Sequence, residues 1–279
     1  MRRVTPFSLL APAKINLALH VLGRRSDGYH DLDSIVAFAD HGDVLTFRPA
    51  QSFDITPTGP FGGNLPPLAD NIISRAWTIA GEIAARRGRI LPPVMVQLEK
   101  NLPVASGIGG GSANAAAALR GFLRLAGIDD LDDEIMAAGL GIGADVPVCL
   151  ASVACRMRGV GEHLTPLAGF EPLQAILVNP LVAVSTPDVF RSLGLSKGQG
   201  FGSAITDERN PARWRNDLAA PAIALAPVIG EILERLRSTT GVIRAFMSGS
   251  GATCVAICET PDVTPHLDPR WWMMRTVLA

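Results

Sequence analysis

Apolar residues recur along this chain in short blocks set off by glycine, proline and polar punctuation. The spacing inside the blocks switches between strand-like alternation and helical periodicity. Residues 7–22 carry strand text interrupted at Pro12, and 43–48 and 94–99 predict two further strands. Between those two, Asp70-Asn71 opens a helix whose apolar positions are Ile72, Ile73, Ala76, Ile79, Ala80 and Ile83, stopped at Gly88. Residues 59–67, rich in proline and glycine, predict a loop. An alanine-rich helix is expected over 112–126, closed by Gly127. The acidic run 129–134 suits the first turn of another helix, where carboxylates favour the dipole, better than it suits a metal cluster. Strands are expected at 148–156 and 175–178, and Thr186-Pro187-Asp188 begins a short helix with proline at its first position. A loop over 194–203 precedes a helix over 219–237, bent or split at Pro227. Strands at 243–247 and 253–258 enclose a last glycine-serine turn. This irregular alternation, without internal repeat, predicts a mixed α/β body of two domains and not a regular barrel.

Composition narrows the partner more than the fold. With 279 residues, 48% of them hydrophobic, the chain can bury a substantial core. The net charge of −1 supplies no field to draw it toward nucleic acid, so a small-molecule partner is expected. The apolar start before Lys14 is short and broken by Pro12, which argues against an export signal. No window reaches the roughly 20 apolar residues of a membrane span. Cys149, Cys155, Cys254 and Cys258 lie in apolar text without a completing metal set, and are read as buried, reduced thiols of a cytoplasmic protein. Nothing points to a particular oligomeric state. Of 25 basic residues only Lys14, Lys100 and Lys197 are lysine, which makes a lysine beside a motif worth following.

The strongest chemical signal is Pro103-Val104-Ala105-Ser106-Gly107-Ile108-Gly109-Gly110-Gly111-Ser112-Ala113-Asn114, lying between the strand at 94–99 and the alanine-rich helix. Four glycines in the positions 107–111 let the backbone adopt positive φ and bring bare N–H groups close to a ligand. The first turn of the helix adds unpaired donors and the positive end of its dipole. Such a loop suits an anion, most often phosphate. It is not a P-loop, since none of the three lysines follows a glycine. The string Gly139-Leu140-Gly141-Ile142-Gly143-Ala144 has the letters of a dinucleotide fingerprint but no strand before it, and reads as a helix end.

The loop resembles the second motif of the small-molecule kinases named for galactokinase, homoserine kinase, mevalonate kinase and phosphomevalonate kinase. Their first motif resembles Ala11-Pro12-Ala13-Lys14-Ile15-Asn16-Leu17 and their third Ser248-Gly249-Ser250-Gly251-Ala252-Thr253, in order and spanning nearly the whole chain. Arg25-Ser26-Asp27-Gly28-Tyr29-His30, Gly143-Ala144-Asp145-Val146-Pro147-Val148 and Asn216-Asp217-Leu218 resemble the branch that acts on a cytidine-diphosphate-linked methylerythritol. The resemblance implies an α+β, two-domain fold with mixed sheets and helices, and a phosphate loop before a helix. Its expected division is an ATP-binding domain over 1–152 and a substrate-binding domain over 153–279. The implied reaction is ATP-dependent phosphorylation of that substrate's 2-hydroxyl, in the non-mevalonate route to isoprenoid precursors.

Phosphoryl transfer to an alcohol needs positioning, charge neutralisation and an acceptor for the hydroxyl proton. Asp145, in apolar text, needs a partner, and Lys14 on strand text can supply it. The residues alone leave a catalytic and a purely structural Lys–Asp pair equally open. The resemblance places the catalytic pair on these positions. Pro103 through Ala113 form the expected ATP contact, with N–H groups of Gly107, Gly109, Gly110, Gly111 and Ser112 toward the phosphates. Ser112 also suits Mg²⁺, although Ala113 stands where relatives often carry a second serine. Lys100 either approaches the nucleotide or is a solvated strand-end lysine. For the cytidine half, Tyr29 and Phe190 offer aromatic faces and His30 edge hydrogen bonds, with Phe190 equally readable as core; Asn16 resembles a substrate-orienting position.

Overall fold

Seventeen longer elements follow one another in the computed structural model, which describes residues 5–64, 67–208 and 210–279. In chain order they are β1 (Phe7–Arg24), β2 (His30–Pro49), β3 (Asp54–Thr58), α1 (Ile72–Arg86), β4 (Val94–Glu99), α2 (Gly110–Leu125), α3 (Asp133–Ile142) and α4 (Val146–Ala151). Then come β5 (Cys155–Gly159), β6 (His163–Pro166), β7 (Leu173–Asn179), α5 (Thr186–Arg191), α6 (Ala219–Leu225), α7 (Val228–Arg237), β8 (Val242–Met247), β9 (Cys254–Cys258) and β10 (Trp272–Leu278). Residues 1–4 of the apolar start and 65–66 of the expected loop lie outside the described residues. No helix among the described residues is long and apolar enough to cross a membrane.

The chain forms two compact units that interleave in sequence, where the sequence reading expects contiguous pieces. One holds residues through Ala13, 41–104 and 109–152; the other holds 14–40, 105–108 and 153–279. Both β1 and β2 therefore pass from one unit to the other, and the segment bearing Lys14, Asn16, Tyr29 and His30 packs with the later part of the chain.

In the first unit, β3 runs parallel to β4, which pairs antiparallel with residues 44–49 of β2. Helix α1 starts where Asn71 accepts the Ile73 N–H, as an N-cap should. It packs on α2 and α3, and α2 packs on α4. Phe122 of α2 is fully buried and receives the edges or faces of Phe47, Phe53 and Trp77 at 5.5, 5.7 and 5.1 Å. Truncating such a ring to alanine costs about 3–5 kcal/mol. In place of the strand expected over 148–156, the structure forms α4 and then β5. The run Val146-Pro147-Val148-Cys149-Leu150 is buried on every side, so periodicity cannot tell helix from strand there. Pro147 sits in the first helical turn, and Ser152, at φ 47°, ends the helix.

In the second unit, residues 32–36 of β2 pair with β5, and β6 continues that edge. A four-stranded antiparallel array in the order β10-β7-β9-β8 joins β2 where Leu278 faces Ala39. The expected helix over 219–237 is split: α6 ends before Pro227, which caps α7. Ile229, Ile232, Leu233 and Leu236 of α7 enter a core with Val178, Met247 and Cys254. Each such side chain contributes about 1.5–3 kcal/mol by leaving water.

Candidate active site

Each unit carries part of the motif set. In the second, β1 brings in two buried polar residues. Lys14 is 4% exposed, with its backbone N–H on the Ile108 carbonyl at 2.9 Å. Asn16 donates its backbone N–H to Ser248 Oγ at 3.1 Å and its amide Nδ2 to Ser34 Oγ at 2.8 Å. Its Oδ1 is buried with no hydrogen-bond partner. A buried acceptor left without a donor is costly, and a bound hydroxyl would relieve it.

The loop segment 105–108 is laced to the third motif. Ser248 Oγ donates to the Gly107 carbonyl at 3.1 Å, and Thr253 donates both its N–H and its Oγ1 to the Ser106 carbonyl at 3.1 and 2.6 Å. Glycine faces glycine here. Gly107 lies at φ +75°, and a Cβ on it would stand 2.5 Å from the Gly251 carbonyl oxygen. A Cβ on Gly249 would stand 2.6 Å from the Gly107 oxygen. Thus the first and third motifs fix the loop's entry. Asn216, to which sequence reasoning gave no role, holds the same turn by donating to the Met247 and Gly249 carbonyls, each at 2.8 Å. Asp217 accepts the Val21 N–H at 2.8 Å. Their appearance as an Asn-Asp pair just before a helix was the available signal.

The turn before β2 carries the base-reading candidates. His30 stacks on Phe190 with centroids 4.5 Å apart and planes at 27°. Phe190 is also partly buried against the core that α7 enters, as its core reading expects. Tyr29 is 63% exposed and its N–H is held by Asp27 Oδ1 at 3.0 Å. The His30 Nε2 is buried and has no partner. Burial first, and then the Arg24 charge, hold this imidazole below its ordinary value of 6.5, so that it stands neutral at pH 7.

In the first unit, α2 starts at Gly110 with Gly109 as N-cap in the left-handed region, φ 65° and ψ 15°. No side chain caps it, which leaves the Gly110, Gly111 and Ser112 N–H groups without intrahelical partners. Ala113 differs: its N–H already bonds the Gly109 carbonyl at 2.8 Å and its side chain is 1% exposed, so it has no donor to offer a phosphate. Pro103 is buried and Val104 is 47% exposed; neither side chain brings a polar group. Asp145 sits half-buried at the start of α4 without capping it.

Lys100 is not the solvated strand-end lysine of one sequence alternative. It is buried and bonded to Asp43 at 2.6 Å and to the Leu102 carbonyl at 3.0 Å. Asp43, fully buried, also accepts the N–H groups of Asn101 and Leu102 at 2.8 Å each. This clamp fixes residues 100–102 ahead of the loop, and the ammonium lies 3.3 Å from where a Gly110 Cβ would be. Among the described residues no group of three or more His, Cys, Asp or Glu could hold a metal. The four cysteines are buried and none forms a disulfide.

An uncapped helix start behind a positive-φ glycine turn presents backbone N–H donors of the kind that bind an anion. The chain belongs to the GHMP kinases and is a small-molecule kinase: residues 71–153 match the GHMP kinases N terminal domain and 200–263 the GHMP kinases C terminal domain. It is 45% identical to the 4-diphosphocytidyl-2-C-methyl-D-erythritol kinase of Dinoroseobacter shibae, over 98% of this chain and 95% of that one. It is 44% identical to the enzyme of the same name from Paramagnetospirillum magneticum, over 97% and 98%. A crystal structure of a 4-(cytidine 5'-diphospho)-2C-methyl-D-erythritol kinase superposes with a TM-score of 0.77 at 32% identity, covering 98% of this chain and 99% of that one. Homoserine kinase from Cytophaga hutchinsonii, at 18% identity and a TM-score of 0.66 over 93% and 87%, shares the fold.

Proposed function

We propose that this kinase transfers the γ-phosphoryl group of ATP to the 2-hydroxyl of 4-diphosphocytidyl-2-C-methyl-D-erythritol, a step toward isoprenoid precursors, in the cytoplasm. The substrate choice is carried by one observation: a neutral imidazole stacked on Phe190 whose Nε2 is buried and unpaired. A pyrimidine edge offers such a nitrogen its partner, while homoserine and mevalonate have no base to present. The relatives' names support the same reading.

In this reading the N–H groups of Gly107 and Gly109 through Ser112 hold the phosphates, and the α2 dipole offsets their charge. Asp145 takes the hydroxyl proton, and the Lys14 ammonium steadies the oxygen as it attacks. Asn16 Oδ1, buried and unsatisfied, accepts from a neighbouring hydroxyl of the methylerythritol chain and so orients it. Transfer is direct, without a covalent enzyme intermediate. Mg²⁺ would arrive on the nucleotide, neutralising its phosphates, with Ser112 as the available hydroxyl; magnesium bound largely through phosphates and water suits a site without a carboxylate cluster. An ATP-consumption assay with the cytidyl substrate beside homoserine and mevalonate tests the reading. Turnover confined to the cytidyl substrate is expected, and preference for either alternative overturns it. Asp145→Asn should keep ATP affinity and lose most turnover; a near-normal rate removes Asp145 from the chemistry.

A further inference from the structure

Arg24, the last residue of β1, closes a link that no motif describes. Its Nε donates to the Gly28 carbonyl at 3.3 Å and its Nη1 to the Leu195 carbonyl at 3.0 Å. One carbonyl belongs to the turn that carries Tyr29 and His30; the other lies just beyond α5, which carries Phe190. Its backbone joins the same loop, with the Arg24 N–H on the Gln199 carbonyl at 2.8 Å and the Gly198 N–H on its own carbonyl at 2.7 Å. Arg24 is half-buried, and no carboxylate pairs with it among the described residues. A guanidinium without an acid, spent on two backbone carbonyls, is a fastener and not an ion-pair partner. Its planar fork can reach two acceptors at once, which a lysine ammonium on a flexible stem does poorly.

We propose that Arg24 is a positioning residue for base recognition: by tying the Gly28 carbonyl to the Leu195 carbonyl it holds His30 against Phe190 with Nε2 presented to the cytosine edge. This rests on the reading that His30 reads the base. The two residues that stack, His30 and Phe190, come from separate segments, and each segment contributes one of the two carbonyls. The guanidinium has a second effect at the same place. After burial, its charge also lowers the imidazole below 6.5, and a neutral ring is the form that offers one donor and one acceptor. Lys197, whose Nζ lies 3.8 Å from where a Gly28 Cβ would be, is a further cation on the same loop, and Asp27 and Asp31 flank the turn.

Arg24→Met and Arg24→Lys, measured beside His30→Ala, test it. Arg24→Met should raise KM for the cytidyl substrate about tenfold, the cost of one charge-assisted contact, while KM for ATP and kcat stay within about twofold. The His30 titration, followed by NMR of its imidazole, should move up toward 6.5 in Arg24→Met. Arg24→Lys should keep the charge and the low titration but still raise KM, because the two-carbonyl tie is gone. Unchanged KM in a folded Arg24→Met protein overturns the proposal, as does full rescue of KM by lysine. If Arg24→Met does not fold, Arg24→Lys decides by the same KM comparison. Should His30→Ala leave the cytidyl KM unchanged, base reading by His30 fails and takes the proposal with it. A raised KM in His30→Ala with none in Arg24→Met refutes the role of Arg24 alone.

Discussion

Gly107→Ala is the sharpest perturbation of the phosphate loop, because the structure gives its cost twice over. The backbone at φ +75° is left-handed, which an alanine occupies at about 1–2 kcal/mol. The new methyl would also stand 2.5 Å from the Gly251 oxygen and 2.7 Å from the Ser248 oxygen. Both are backbone atoms of a turn that is itself bonded to Gly107, Ser106 and Asn16, so neither swings aside as a side chain would. Relieving such a contact adds about 1–3 kcal/mol. Together the loss is about 2–5 kcal/mol, or the loop moves. Gly111→Ala is the internal control: a Cβ there has no neighbour within 4 Å and lies inside α2, so stability should rise by about 0.5–1 kcal/mol. Urea unfolding and calorimetric titration with ATP, run on both variants, separate the two. Gly107→Ala should unfold earlier and bind ATP more weakly. Wild-type unfolding and affinity in Gly107→Ala would refute the interlocked-turn reasoning.

Asp43→Ala strands the buried Lys100 ammonium and should cost about 3–5 kcal/mol in urea unfolding, much of it recovered when Lys100→Met is added; a single variant as stable as wild type refutes the clamp. The folded value of His30 lies below the 6.5 of the unfolded chain, so the folded state binds fewer protons. Its stabilising share is complete above pH 6.5 and is lost as pH falls through the lowered value. KM for the cytidyl substrate should follow, flat above pH 6.5 and rising below it; a KM that improves on acidification contradicts a neutral imidazole. Burial pushes the Cys155 thiol up to about 11 and Cys254 up to about 12, so a thiolate-selective reagent at pH 8 should label neither before urea does its work. Rapid labelling of either in the native protein would show these sites open to solvent.

Much of this architecture was legible from local chemistry. Asn71 capping α1, Pro187 in the first turn of α5, Gly109 ahead of α2 and Pro227 between α6 and α7 each act through one residue's own backbone preference, which sequence displays directly. The first part of β2 was not legible, because residues 33–39 are buried on both faces and show no alternation. Neither was the unbroken passage of β1 through Pro12, because a proline inside strand text reads as a break. At the site, the glycines and the motif residues announced themselves, while the burial of Lys100 was not legible because its partner Asp43 lies 57 positions away. That the Ala113 N–H is already taken was hidden for a simpler reason. The first intrahelical bond falls on its N–H, and that depends on where α2 starts. Arg24 carries no motif signal at all, since its role is set by two carbonyls that folding brings to it.

A crystal structure with a non-hydrolysable ATP analogue tests the phosphate cradle most directly. The β- and γ-phosphate oxygens are expected within about 2.7–3.2 Å of backbone nitrogens between Gly107 and Ser112. Phosphates bound away from residues 107–112, with those N–H groups still facing water, would contradict it.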